Sequence, residues 1–241
     1  MSTIKPMTLR GVLFDFDGTL ADTAAAERES WPELAAVIAR HTPGVDPGEL
    51  RTRYFGVFEL HWKAYLEGRI DFSTYRRNRL SEALEPWREV DDELFEDYRQ
   101  EKRRGVEGLR LFDDAIATIR YLRTLGLRVG LLTNGPSSLQ RHKLEVTGIE
   151  PELDAVAISE EIGIAKPEPE AFHQAARMIG CEPVEVAMVG DSPESDIAGA
   201  IAAGLALAVL VTRGLDVSAD GATIVETLDE LPAAMGFSGR R

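Results

Sequence analysis

Long apolar runs are missing from this chain of 241 residues, and no stretch approaches the roughly 20 apolar residues that cross a bilayer. Met1 to Arg10 also lacks an apolar core of signal-peptide length, so a cytoplasmic protein is the expectation. Cysteine is almost absent. Cys181 alone cannot close an intramolecular disulfide, and with no His or basic residue beside it in sequence it reads as packing and not as a reactive thiol. Positive charge is scarce: 27 Lys and Arg stand against 41 Asp and Glu, a formal net charge of −14. That balance argues against a nucleic acid polymer or an anionic membrane surface as partner. An anionic ligand would have to be drawn in locally, by particular lysines and arginines, a metal ion or backbone N–H groups.

What is present is ordinary for a globular protein: 44% hydrophobic and 28% charged residues, and enough length for one large domain with an insertion. Gly11 to Asp22 is the stretch to which the rest relates. Val12 to Phe14 reads as a strand buried on both faces, running directly into two acids, Asp15 and Asp17, before a turn at Gly18. Asp-Gly is a common turn signal, so the pair alone decides little. At the carboxyl end of a strand in an open α/β sheet, however, acids stand where ligands bind.

From Thr23 to about Gly105 no clear strand is visible, and helical spacing dominates. Thr23–Arg28, Pro32–His41, Pro47–Glu67, Asp71–Leu84 and Asp91–Arg104 read as helices, with Asp71 or Ser73 as a cap and Pro32 tolerable near a helix start or at a kink. From Gly108 strand and helix alternate. Helices are expected over Leu111–Leu125, Ser137–Thr147, Pro169–Ile179, Glu194–Ala203 and Leu228–Met235, and strands over Leu127–Leu132, Ala155–Ser159, Val186–Val189, Ala206–Val211 and Thr223–Val225. Alternation of this kind predicts right-handed βαβ units and a parallel, Rossmann-like sheet. The expected organisation is therefore an α/β core over 1–22 and 106–241 with an all-helical insertion over 23–105. The tail from Gly236 reads as frayed, with solvated arginines.

Leu131-Leu-Thr-Asn-Gly135 ends a further strand in polar residues, Ala165-Lys-Pro-Glu-Pro169 puts a lysine just ahead of a proline-marked helix start, and Val186-Ala-Met-Val-Gly-Asp-Ser-Pro-Glu-Ser-Asp196 ends another strand in polar residues. Together with Asp15 and Asp17, in this order, they resemble the four motifs of the haloacid dehalogenase (HAD) superfamily over nearly the whole chain. The helical insertion is similar to the C1 type of cap, which closes over small substrates. Trp62 to Ile70 with Arg79 is loosely similar to the caps of the nucleotidase and N-acylneuraminate-9-phosphatase branch. Arg79 is thus expected either as a substrate contact of the cap or as part of a solvated helix face.

The resemblance implies a Mg²⁺-dependent phosphatase of a small phosphorylated metabolite. Asp15 would be the nucleophile that forms an aspartyl-phosphate, and Asp17 the general acid and then base. Side chains of Asp15 and Asp191 and the backbone carbonyl of Asp17 would hold Mg²⁺. Thr133, the backbone N–H groups of Asn134 and Gly135, and Lys166 would bind the phosphoryl oxygens. Asp196 would hold a metal-bound water or orient Lys166, or else cap its own helix. The family's dehalogenases carry a non-acidic residue where this chain has Asp17, which favours ester hydrolysis. A dehalogenase, a phosphomutase and a catalytically silent binding protein are the alternatives.

Overall fold

The computed structural model describes residues 9–237. Most of the stretch read for a signal, Met1–Arg10, and the tail arginines Arg240 and Arg241 lie outside the described residues. No helix is long and apolar enough to cross a membrane, among the described residues.

Six strands, β1 (Gly11–Phe14), β2 (Arg128–Thr133), β3 (Ala155–Ile158), β4 (Val186–Gly190), β5 (Leu207–Val211) and β6 (Thr223–Val225), form one sheet in the order β3-β2-β1-β4-β5-β6. Every neighbouring pair is parallel. The Rossmann-like expectation holds. All four residues of β1 are buried, as a central parallel strand covered on both faces requires. The strand order reverses at β1, and such a switch point opens a crevice at the strands' carboxyl ends. Register makes this local: Phe14 pairs with Leu131 on one side and Val189 on the other, so Asp15, Thr133 and Asp191 emerge as neighbours.

The chain divides into two compact units, Ala24–Leu109 and the described parts of Met1–Thr23 and Arg110–Arg241. The first holds helices α1 (Thr23–His41), α2 (Pro47–Gly56), α3 (Phe58–Leu66), α4 (Phe72–Leu84) and α5 (Asp92–Val106), of which α1 begins one residue earlier. Its core is its own, with Trp31, Leu34 and Ile38 packed with Leu50, Tyr54, Leu80, Leu84, Leu94 and Tyr98. The sheet unit carries α6 (Ala115–Thr124), α7 (Ser137–Thr147), α8 (Ser159–Ile162), α9 (Pro169–Met178), α10 (Gly199–Ala202) and α11 (Leu231–Ala234). There Phe172 and Ala175 of α9, with Ile179 just after it, pack on Leu13, Leu132 and Met188.

Several boundaries differ from expectation. Pro32 lies inside a continuous α1, because Trp31, Leu34 and Ile38 on both sides of it share one buried face. The expected helix Pro47–Glu67 is two helices broken at Val57, whose N–H returns to the Arg53 carbonyl. Leu50 and Tyr54 are buried before the break, whereas no residue of α3 is fully buried after it. Of the two possible caps for α4 the structure uses Asp71, which accepts from the Thr74 N–H at 2.7 Å. Helix α6 starts at Ala115 and not Leu111, because Leu111 bridges Ala21 and the Phe112 N–H bonds to the Leu20 carbonyl. Leu228–Met235 is a 3₁₀ turn, Leu228–Glu230, followed by α11. The expected helix Glu194–Ala203 opens as a π-helical turn over Pro193–Ala198 and becomes α10 only at Gly199.

Candidate active site

The ends of β1 and β4, the turn that follows β4 and the loop before α9 bring four charged side chains together. Lys166, 2% exposed, donates to Asp15 Oδ1 at 2.5 Å and to Asp196 Oδ1 at 2.6 Å. Asp196 is 1% exposed, and its other oxygen accepts from the Ser192 N–H at 3.0 Å. The wide π turn sets Asp196 facing inward: its own N–H and that of Ile197 both return to the Ser192 carbonyl. Asp15, Asp191 and Asp196 each offer an oxygen within 4.8 Å of the other two. Gly18 closes the approach, because at φ +83° a Cβ there would lie 2.1 Å from Asp191 Oδ2.

One ammonium beside the buried carboxylates of Asp15 and Asp196 and the half-buried one of Asp191 leaves negative charge uncompensated, and Asp15 and Asp191 show it. Burial pushes the Asp15 carboxyl well above the usual range, the charges of Asp196 and Asp191 add to this, and Lys166 opposes it. Asp191 is pushed up to about 7 by burial first and by Asp196 next. Burial alone would lower the Lys166 ammonium, but Asp15 and Asp196 hold it up, so it stays charged.

Asp17 is bonded elsewhere. Its Oδ1 and Oδ2 accept from Lys143 Nζ at 2.7 and 2.8 Å, and Oδ2 also accepts from Gln140 Nε2 at 3.0 Å. Gln140 Nε2 further reaches Thr133 Oγ1 at 2.6 Å and the Asn134 carbonyl at 3.1 Å. An amide nitrogen facing a carboxylate and a carbonyl is the only orientation those two acceptors allow. Asn134 braces the loop that carries Lys166, donating to its carbonyl at 2.8 Å and accepting from its N–H at 2.9 Å. Gln140 and Lys143, one turn apart on α7, were not anticipated from sequence. The sequence places them after the Thr133 strand end and three positions apart on one helix face, but does not say what that face meets.

The structure thus brings Asp15, Lys166, Asp191 and Asp196 together, and links Asp17 to Thr133 through Gln140. Arg79 lies in the helical unit and is not part of this cluster. At 3% exposure it is no solvated face. Its Nε donates to the Tyr54 carbonyl at 3.1 Å, its Nη1 to Tyr75 Oη at 3.3 Å, and its guanidinium lies 3.9 Å from the Tyr54 ring centroid. Its Nη2 is buried without a hydrogen-bond partner.

Residues 9–204 match the family model described as haloacid dehalogenase-like hydrolase. The chain is 44% identical over 123 residues to phosphoserine phosphatase of Thermus thermophilus, a match covering 51% of this chain and 47% of that protein, so it spans about half of that relative's length. It is 28% identical over 234 residues to human N-acylneuraminate-9-phosphatase, covering 94% of each. Among solved structures, a HAD-hydrolase from Bacillus subtilis bound to magnesium superposes with a TM-score of 0.77 at 25% identity, over 95% of this chain and 100% of that one.

Proposed function

From the premise that this chain belongs to the haloacid dehalogenase-like hydrolases, we propose that it hydrolyses phosphomonoesters of a small metabolite through a phosphoenzyme on Asp15. The observation that carries the reading is the presence of two acids with separate partners: Asp15 against buried Lys166, Asp17 against Lys143 and Gln140. A nucleophile and a proton carrier need such separate environments. Both relatives named above are phosphatases by name.

In the first step an Asp15 oxygen attacks phosphorus, the ester P–O bond breaks, and its electron pair goes to the leaving oxygen, which takes a proton from Asp17. In the second, water attacks phosphorus, its proton passes to Asp17, and the P–Oδ bond breaks to return the Asp15 carboxylate and inorganic phosphate. Lys166 and Thr133 would hold the phosphoryl oxygens, with the backbone N–H groups of Asn134 and Gly135, while Asp196 keeps Lys166 aimed at Asp15.

The donor set fits a divalent cation, since carboxylate oxygens of Asp15, Asp191 and Asp196 lie within 4.8 Å of one another beside a single lysine, and burial holds the Asp15 and Asp191 carboxyls above their usual range. Asp15, Asp191 and the Asp17 carbonyl would hold Mg²⁺, which when bound would neutralise charge between nucleophile and phosphate. The helical unit is read as the substrate-selecting cap, with Arg79 as its candidate cation.

Phosphate release from a panel of monoesters, with Mg²⁺ and with chelator, tests the proposal. The wild type is expected to need the metal, and Asp15→Asn to lose roughly 1,000-fold or more of the rate. Halide release from 2-haloacids, with none of phosphate, would overturn it.

A further inference from the structure

We propose that Lys143 and Gln140 are positioning residues for the acid/base carboxylate of Asp17, an inference that rests on the phosphatase reading. The Asp17 side chain is 32% exposed, and a short carboxylate in that setting would turn freely about its rotamers. Here both oxygens are taken. Lys143, itself only 14% exposed, spans them with one ammonium, and Gln140 fixes one of them from the same helix face.

Gln140 does more than hold Asp17. The same Nε2 bonds Thr133 Oγ1, so the proton carrier and the hydroxyl expected at the phosphoryl oxygens are tied to a single amide. Gln140 is 1% exposed, and α7 is anchored at its far end by buried Leu144. The pair is therefore a rigid bracket, and rigidity is what proton transfer to a leaving oxygen demands, because small misplacements are costly in rate. The Lys143 ammonium makes its bonds to Asp17.

The leaving group gives a test that a structural role would not pass. An alkyl phosphate needs Asp17 to protonate the departing alkoxide, whereas p-nitrophenyl phosphate expels a stable phenolate that needs no proton. Both substrates need Asp17 as base to hydrolyse the phosphoenzyme. For Lys143→Met, kcat/KM on an alkyl phosphate is expected to fall at least about tenfold more than on p-nitrophenyl phosphate. On the aryl ester kcat and KM should fall together, as the phosphoenzyme accumulates. Asp17→Asn should show the same pattern more strongly, and Lys143→Arg should recover part of the alkyl activity.

Equal losses of kcat/KM on both substrates, or no loss on either, would overturn the role of Lys143. Unchanged thermal melting of Lys143→Met secures folding, and should that variant melt early, Lys143→Gln and Gln140→Leu are judged on the same alkyl-to-aryl ratio. A wild type that releases phosphate from neither substrate overturns the phosphatase reading and takes this inference with it; an active wild type with substrate-independent losses overturns the inference alone.

Discussion

At the scale of single residues, the cluster around Lys166 is crowded with like charge, and that crowding has a sign in pH. The Asp191 carboxyl, ordinarily near 3.8, is pushed up to about 7 by burial and then by Asp196. Below about pH 4 it is protonated in both folded and unfolded chains. As pH rises toward 7 the unfolded chain gives up a proton that the folded chain keeps, so the stability this group contributes is lost across that window. Asp191→Asn removes the effect. In chelator at pH 8 the variant is expected to be about 1 kcal/mol or more harder to unfold in urea than wild type, with the difference closing toward pH 4, while phosphatase activity disappears. Identical stabilities at pH 8 would show that the carboxylate is not crowded. The residues of this cluster were legible in sequence because each stands next to a strand end or a proline-marked turn, where one-dimensional signals are strongest. Gln140 and Lys143 were not, since mid-helix polar residues look alike until tertiary packing shows what faces them. Arg79 is similar: only the fold shows the aromatic rings that bury it.

At the scale of elements, the strands and their parallel direction followed from buried apolar runs and from strand–helix alternation, whereas helix interiors hid two departures. Gly56 and Val57 interrupt what reads as one amphipathic helix, because periodicity continues across a break in the backbone. The π turn over Pro193–Ala198 has no periodic signature at all, yet it sets Asp196 toward Lys166. Its continuation into α10 depends on a close approach. A Cβ on Gly199 would lie 2.7 Å from ring carbons of Phe172 and 2.9 Å from Pro167 Cα, the backbone of the loop that carries Lys166. Gly199→Ala is expected to cost about 1–3 kcal/mol in urea denaturation and to lower kcat by displacing Lys166. Gly56→Ala meets open space and should be neutral or mildly stabilising in the same assay. If Gly199→Ala behaves like Gly56→Ala, the packing of α10 does not position the lysine.

At the scale of the whole molecule, each unit has a hydrophobic core of its own, and the acids that would hold Mg²⁺ all belong to one of them. A ligand stabilises the part of a protein whose folded state binds it, by about 2.7 kcal/mol at a hundredfold excess over Kd. The three tryptophans offer a way to see this separately: Trp31, Trp62 and Trp87 are the only ones in the chain, and all lie in the helical unit. Tryptophan fluorescence during heating therefore reports the helical core, while far-ultraviolet circular dichroism reports both. Saturating Mg²⁺ is expected to raise the dichroism transition of the sheet unit by several degrees. The fluorescence midpoint should stay where it was. Asp191→Asn should abolish the shift, because it removes a carboxylate from the site and leaves both cores intact. Coincident transitions that move together with Mg²⁺ would instead mean that the two cores melt as one cooperative body, and that metal bound at the sheet's carboxyl edge stabilises the helical unit as well.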